Sequence, residues 1–583
     1  MFYRFTVVAV LAASLSAAKA GAQELPSETD RLAATGRLWV TVKYFHPYLA
    51  YRNIDWDQAL VNALPQIRSA KTEQEYETAV RSMMKALEAP PEDAAGEGQR
   101  AWIHHGLPPE AGESSGHFYS AFLYKPGNVR EEASVPMGGF SIAAPLSEPV
   151  HGPAIPSPPP VHLYRDVYPS TELRILAAYK VWGVFHYFFA YRDLMDEDWD
   201  ALLAQYLPRL IAAKDAVEYN LAIAEWLTHA ADSLAVVNSA TMTNYFGEAP
   251  VGLRLRVIEK HAVVTEVLDP EAKAKGVKVG DVVKKVDSET LLDRFTREAK
   301  FVPASTLQSL AVAIAGRLLN GPDGSNAALT MEDGLGNRKE VTLKRSKNFA
   351  AALQADIAKE TVKLLRGGIG YADLRSLKRS EVDAMFDRFR EAPAIIFDMR
   401  GVPADKVSGD VAARLTSEAD VAAAIVTGPI AAAPDLQQGQ MSNPSASYFF
   451  VQTIGNSTKW KFQGKTIMLV DERTIGAGEQ TALLFEAANK TEFIGTPTAG
   501  ANTALTNFTV PGAITISLSG EDIRHANGGK LQRMGIQPNV SASATLTGIR
   551  TGKDEVLEKA LEYLSPKVPN PKALPARAGL TSL

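Results

Sequence analysis

The hydrophobic positions of the chain follow different periods in its two halves. Within residues 23–248, apolar side chains recur at spacings of three and four, as in Leu203, Leu207 and Leu210, which predicts amphipathic helices. Towards the C-terminus, continuous apolar runs such as 394–397 alternate with helical segments, which predicts buried strands. We therefore expect helical domains followed by a mixed α/β domain.

Two stretches of the helical part match each other without a gap. Residues 31–87 and 174–230 are therefore predicted to be copies of one helical module, within the segments 23–95 and 166–248. An aspartate stands where the second helix of each copy should begin, Asp55 in one and Asp198 in the other. The matched pairs, each 143 residues apart, include Trp39 with Trp182, Tyr44 with Tyr187, Trp56 with Trp199, and Asp57 with Asp200.

Each copy also carries an aromatic cluster beside a histidine, His46 in the first and His186 in the second. A ligand-binding pocket would explain the cluster, but a helix–helix core with the histidine at its edge is the simpler interpretation. Between the copies, residues 96–165 are rich in Pro, Gly and Ser, which predicts an insert and a stiff linker. His104 and His105 lack a third ligand at a suitable spacing, so we predict no metal site.

Residues 249–348 change to short β-type runs around a helix. The phrase GVKVGDVV resembles the PDZ domains of proteases. That resemblance implies binding of a peptide C-terminus as an added strand, with its carboxylate held by the loop of Val251, Gly252 and Leu253. A β-rich spacer without a ligand is the alternative. The predicted elements are strands at 262–268 and 281–286 and a helix at 270–275.

Residues 349–563 alternate apolar strands with helices, which predicts an α/β layer structure. The segments IGYADL, AIIFDMRG, MLVDERT, FIGTPTAGAN and GIQPNV resemble, in this order, those of the tail-specific (C-terminal-processing) serine proteases. The resemblance implies a multidomain α+β fold, with the duplicated helical module and the PDZ-like domain preceding a protease core. The predicted core elements are strands at 367–374, 394–401 and 465–472 and helices near 380–389 and 478–488.

The resemblance also assigns catalytic positions. In that family the nucleophile is a serine at a strand-to-helix turn, three residues before a glutamate, which here is Glu479. The corresponding residue is Gly476, which has no side chain with which to attack a carbonyl. A backbone oxyanion hole would be formed at Gly401 and Ala477.

The positions at which the family carries its catalytic base also hold other residues. One branch of the family uses a lysine 25 residues after the serine, and that position is Ala501 here. The tricorn-like branch uses a histidine directly after a serine, whereas Leu234 follows Ser233 in this chain. Thr474, Ser233 and His525 are polar residues that could substitute, although a turn, a cap or a loop explains each of them without catalysis.

Composition and charge restrict the classes of partner that the protein can bind. The 583 residues include 61 basic and 66 acidic side chains, a net charge of −5, which argues against nucleic acid. The chain has no cysteine, which excludes disulfides and a thiol nucleophile, and no cofactor is predicted.

The N-terminus predicts export. Arg4, the apolar run 5–15 and the small residues that follow form a signal peptide over residues 1–22, with a buried N-terminal helix as the alternative. We therefore expect a periplasmic or secreted protein, with no membrane span after signal removal. Residues 564–583 are predicted to be a tail.

Three functions remain open on the sequence. The protein could bind polypeptide C-termini or unfolded protein, with proteolysis lost or much reduced. It could instead be an active serine-type endopeptidase that acts on protein C-termini through non-standard residues. A carrier of small apolar ligands, as one relative in the family suggests, would need a closed pocket lined by the Trp and Phe clusters.

Overall fold

The computed structural model of the chain describes residues 25–46, 49, 54–88, 100–102, 122–124, 131–146, 164–354, 360–428, 448–502 and 505–565. The predicted signal peptide, most of the insert at 96–165 and all but the first two residues of the tail lie outside these ranges.

Helices dominate the N-terminal part. Asp55 and Asp198 cap the second helix of each set as predicted, since their carboxylates accept the amides of Gln58 and Asp200 at 2.9 Å. The first two helices of each set begin 143 residues apart, the offset of the sequence repeat, although the duplication itself stays a prediction. The elements are α1 (Glu28–Phe45), α2 (Trp56–Ser69), α3 (Glu73–Met84), β1 (Arg100–Trp102), β2 (Phe122–Tyr124), β3 (Glu131–Pro136), β4 (Ser141–Leu146), α4 (Thr171–Phe188), α5 (Trp199–Ala212), α6 (Ala216–Thr228), β5 (Val237–Asn238) and α7 (Ala240–Phe246).

The aromatic clusters form the core between these helices. The ring of Tyr44 lies edge-on to Phe188 at a centroid distance of 4.8 Å, and Trp199 stacks on Trp226 at 5.5 Å. His46 is buried rather than at the edge, where we had expected it, because it follows α1 directly into the helix–helix contact. The helix–helix interpretation of the clusters is therefore confirmed.

A β-rich unit comes next, built on an antiparallel sheet in the order β11-β10-β8-β7-β6, with β9 beside β8. Strand β6 is one edge of this sheet, and α10 packs beside it. The predicted strands and helix at 262–286 are confirmed to within a residue or two, whereas the PDZ likeness stays a prediction. The elements are β6 (Leu253–Ile258), β7 (His261–Val267), α8 (Pro270–Ala274), β8 (Val282–Val286), β9 (Glu289–Thr290), α9 (Leu291–Ala299), α10 (Leu307–Ala315), β10 (Asn326–Glu332), β11 (Arg338–Lys344) and α11 (Asn348–Gln354).

The C-terminal core is a sheet in the order β12-β13-β14-β17-β18-β22, parallel except for β12. The elements are β12 (Val362–Leu364), β13 (Gly370–Asp373), α12 (Val382–Arg388), β14 (Ala394–Asp398), α13 (Ser408–Ala412), β15 (Val421–Gly428), β16 (Tyr448–Ile454), β17 (Lys465–Val470), α14 (Ala477–Asn489), β18 (Glu492–Gly495), β19 (Leu505–Val510), β20 (Ile514–Ser519), β21 (Asp522–His525), β22 (Val540–Ser541), α15 (Leu546–Thr551) and α16 (Glu555–Leu564).

Both faces of this sheet are covered, which explains the continuous apolar runs. Along β14, Ile395 and Phe397 pack on the face of α12 and α14, whereas Ile396 packs on the face of α16. The predicted strands and helices of the core are therefore confirmed, with shorter bounds except for α14, which is one residue longer at each end.

One hairpin of the core belongs to the helical part. Strand β19 pairs with β20, and β20 pairs with β5; apolar side chains of the hairpin, Phe508 and Ile516 among them, are fully buried in the core of the helices. The helical part and the α/β core are therefore joined by a shared hydrophobic core.

Candidate active-site cleft

The predicted nucleophile position lies in the turn between β17 and α14. Gly476 has φ +53° and ψ −113°. This conformation is unfavourable for any L-residue that carries a side chain. Its amide donates to the carbonyl of Ala501 at 2.9 Å, so the position of the missing lysine lies beside the turn. A Cβ built on Gly476 has no atom within 4 Å. The turn therefore leaves open space where a nucleophile's side chain would stand.

Glu479 supports this turn from the buried side. Its carboxylate accepts the amides of Gly500 at 2.7 Å and Ala501 at 3.0 Å, together with the hydroxyl of Thr498. Burial raises the pKa of Glu479 to about 7, even though these hydrogen bonds favour the charged form. Glu479 therefore positions the loop 498–501 against α14 and is fully buried.

The two predicted oxyanion donors differ in whether their amides already donate a hydrogen bond. The amide of Ala477, exposed at the start of α14, donates to none of the described residues. The amide of Gly401 donates to the carbonyl of Met399 at 2.7 Å. One donor is therefore available to a ligand, whereas the other is occupied within its own turn.

The segment that would carry the histidine is held by a buried carboxylate. Asp232 accepts the amide and the hydroxyl of Ser519, both at 2.8 Å, and the amide of Leu234 at 3.1 Å. Burial raises the pKa of Asp232, and these hydrogen bonds oppose that effect. The segment is thus fixed, but Leu234 offers no proton acceptor.

The hydroxyl of Ser233 is occupied by structural hydrogen bonds. Its hydroxyl donates to Ser309 at 2.9 Å and accepts the amide of Ser305 at 2.9 Å. In the same loop Thr306 donates to the carbonyl of Ala499 at 2.8 Å, so the segment reaches the loop behind the Gly476 turn. Ser233 therefore joins the helical part to the site as a structural residue.

The other two candidate substitutes are engaged as well. Thr474 is buried, and its hydroxyl donates to the carbonyl of Met399 at 2.7 Å. His525 pairs with Glu486 at 2.8 Å, ten residues along α14 from the turn, or ~15 Å at ~1.5 Å per residue. Neither residue is placed to replace the missing serine.

A cleft of about 1090 Å³ leads from the β-rich unit to this turn. One wall is the edge strand β6 together with one face of α10, which presents Ala311, Val312 and Ala315. The opposite wall belongs to the α/β core and includes Gly401 and Ile475. The cleft therefore brings the edge strand β6 and Ile475, the residue before the predicted nucleophile position, into one cavity.

The predicted carboxylate loop lies at the start of β6 and is buried. The carbonyl of Gly252 accepts the amide of Leu268 at 2.8 Å, and the amide of Leu253 donates to the carbonyl of Val251 at 2.7 Å. The amides of Val251 and Gly252 donate to no residue that the structure describes. Since buried amides are nearly always paired, these two are candidate donors to a ligand.

Three arginines that were not predicted as site residues line the cleft. Each follows an aspartate by two residues at the carboxyl end of a parallel strand, and each aspartate accepts its arginine's amide at 3.0 or 3.1 Å and its guanidinium. The threefold D-x-R pattern after predicted strands was the available signal. The units are Asp373 with Arg375 after β13, Asp398 with Arg400 after β14, and Asp471 with Arg473 after β17.

The large aromatic side chains do not line this cavity. Trp39, Trp182 and Trp226 are buried in the helical core. Among the described residues, no group of three His, Asp or Glu side chains could hold a metal ion. In the same part of the chain, no helix combines the length and the apolar character needed to cross a membrane.

A parallel sheet, a strand-to-helix turn with an exposed amide, and a cleft shared with a β-rich unit make up this α/β core and its candidate site. Residues 368–542 match the model of peptidase family S41, which confirms the predicted family resemblance for this part of the chain.

The structure of mature CPAF supports the fold. The crystal structure of mature CPAF is similar with a TM-score of 0.54 at 12% identity, over 69% of this chain and 98% of that chain. The photosystem II D1 C-terminal processing protease is 16% identical, with a TM-score of 0.39 over 63% of this chain and 92% of that one. The tricorn protease is 13% identical, with a TM-score of 0.34 over 77% of this chain and 40% of that one. No curated protein sequence matches the chain.

Proposed function

We propose that this protein is an exported member of its family that binds polypeptide C-termini in the cleft and no longer cleaves them efficiently. The observation that carries the proposal is Gly476. It lies in a turn with positive φ, and there is open space where a serine hydroxyl would stand. Loss of the serine in such enzymes costs about 10⁶-fold in rate. The leucine at position 234 removes the base as well.

Binding is supported by the geometry of the β6 edge. A peptide added along β6 would have α10 beside it, and the small side chains of Ala311 and Ala315 leave room for apolar residues. The amides of Val251 and Gly252 are buried at the start of β6 and donate to none of the described residues, so they are the proposed donors to its terminal carboxylate.

The alternatives have less support. An active endopeptidase would need one of Thr474, Ser233 or His525, and each is engaged in other hydrogen bonds. A carrier of apolar ligands would need a cavity among the Trp and Phe side chains, which instead pack against one another.

Calorimetry with a peptide ending in an apolar residue, and with its C-terminal amide, tests the proposal. We expect the free acid to bind at least about tenfold more tightly, because a charge-assisted hydrogen bond is about twice as strong as a neutral one. Ala311→Phe should block the groove, whereas Ala313→Phe, on the exposed side of α10, is the matched control. Equal binding of acid and amide would contradict carboxylate capture.

Export is supported by the charged and apolar pattern of residues 1–22. N-terminal sequencing of exported material should find a start near Gly21 or Gln23. An intact Met1 on the folded protein would contradict this part of the proposal.

A further inference from the structure

The cleft is more basic than the protein that contains it. Five arginines line it against three carboxylates, an excess of two positive charges in a chain of net charge −5. The residues are Arg254, Arg256, Arg375, Arg400 and Arg473, with Glu259, Asp471 and Glu472.

The D-x-R units hold three of these arginines in a fixed orientation. The side chains of Asp373 and Asp398 are fully buried behind the wall, whereas those of Arg375 and Arg400 keep 12% and 13% of their surface exposed. In these two units the partner aspartate lies behind the guanidinium group, whereas Asp471 of the third unit lines the cleft itself and Arg400 also pairs with Asp554 at 2.7 Å. Because each arginine is bonded to its own strand end, little side-chain entropy remains to be lost on binding an anion.

Arg256 brings a further cation from the opposite wall. It lies on β6 and reaches across the cleft to Asp471 at 3.1 Å and to Glu472 at 2.7 Å. Its Nε is buried and donates to none of the described residues. One N–H group of Arg256 therefore lacks a hydrogen-bond partner among the described residues, at the point where β6 meets the wall of D-x-R arginines.

Strand geometry gives the register of a bound peptide. A peptide with its carboxylate at the loop before β6 must run antiparallel to that strand. At ~3.3 Å per residue, Arg256 then lies opposite a side chain about three to five residues before the peptide's end. A side chain there faces Arg256 and the D-x-R arginines together.

We propose that the cleft selects polypeptide tails with an acidic side chain about three to five residues before an apolar C-terminus, read by Arg256 against the wall of Arg375, Arg400 and Arg473. The inference rests on the proposed function, since it uses the carboxylate loop to set the register. The opposing guanidinium groups match a carboxylate's two oxygens, which lysine would not do equally well.

Binding of synthetic peptides of about ten residues to the full chain tests this selection. The peptides share an apolar free-acid end and carry glutamate, glutamine or lysine once, either within the expected window or near the N-terminus. We expect glutamate in the window to bind about tenfold more tightly than glutamine, and lysine to bind most weakly. Arg256→Gln should remove the advantage and Arg256→Lys should retain part of it. Arg338→Gln, on the far edge strand β11 with its side chain 65% exposed, should leave the advantage unchanged.

The outcomes separate the two proposals. If free acids outbind amides but glutamate and glutamine bind equally, the selection is wrong and the proposed function stands. If glutamate helps equally at both positions, or still helps in Arg256→Gln, general attraction by charge replaces the assigned contact. If no peptide binds at all, the proposed function fails, and the selection with it.

Discussion

At the scale of single residues, Gly476 decides what this site can do. The turn and the exposed amide of Ala477 are present, whereas the amide of Gly401, the second predicted oxyanion donor, is bonded to the carbonyl of Met399. Glycine tolerates φ +53° without a Cβ penalty, so the turn is easier to maintain here than with a serine. The site can thus be tested by restoring side chains instead of rebuilding backbone.

The unmodified protein should show no cleavage of an unfolded substrate and no labelling by a fluorophosphonate probe. Gly476→Ser should fold, since nothing lies within 4 Å of the new Cβ, at a cost of about 1–3 kcal/mol from the backbone conformation. It should stay inactive, because a serine without a base is protonated near neutral pH. Adding Leu234→His should give measurable labelling.

The matched control for that pair is Gly476→Ala with Leu234→His, which carries the same backbone strain and no hydroxyl. Thermal denaturation would show that both double variants are folded. Strong labelling of the unmodified chain would mean that another hydroxyl acts as the nucleophile.

At the scale of elements, the site depends on how α14 is fastened to the loop 498–501. The buried carboxylate of Glu479, on α14, connects the two by accepting two backbone amides and a hydroxyl of the loop. Because its pKa is raised from 4.5 to about 7 in the fold, the folded state binds the proton more tightly than the unfolded chain does. Glu479 should therefore make the core sensitive to pH.

We expect the contribution of Glu479 to be fully present below about pH 4.5 and to be lost as the pH rises through about 7. The raised pKa corresponds to a loss of about 3 kcal/mol of stability over that window. In Glu479→Gln this part of the pH dependence should vanish, on a lower baseline, because an amide NH₂ would then face a backbone N–H.

Thermal midpoints at intervals between about pH 4 and pH 8 would measure the difference between parent and variant. Glu418→Gln, at an exposed position of the same core, serves as the control. An identical pH profile in parent and Glu479→Gln would contradict the assignment.

At the scale of the whole molecule, the hairpin of β19 and β20 joins the parts. Its strands belong to the core in sequence, but Phe508, Ile514 and Leu518 are buried among the helices, and β20 pairs with β5. We therefore expect the core to need the helical part in order to bury this hairpin.

A fragment of residues 360–565 should be insoluble or only partly folded, because the hairpin exposes an apolar face without the helices. Co-expression with residues 25–246 should restore solubility and a cooperative thermal transition. A monomeric fragment that unfolds cooperatively by itself would show that the hairpin is not a required contact.

Local patterns in the sequence were enough to predict many of the elements and the family resemblance of the core. The run 394–397 is apolar because both faces of β14 are covered, and the aspartates before α2 and α5 cap them through short-range hydrogen bonds. The absence of a hydroxyl at position 476 is likewise visible without a structure.

Only the tertiary structure decided what surrounds that position. The D-x-R arginines become one wall because their strands are neighbours in the sheet, and Arg256 faces them from another domain. That the amides of Val251 and Gly252 donate to none of the described residues is likewise visible only in the folded loop. The physical reason is range: helix caps and apolar periods act over a few residues, whereas a cleft is made by groups hundreds of residues apart that packing brings together.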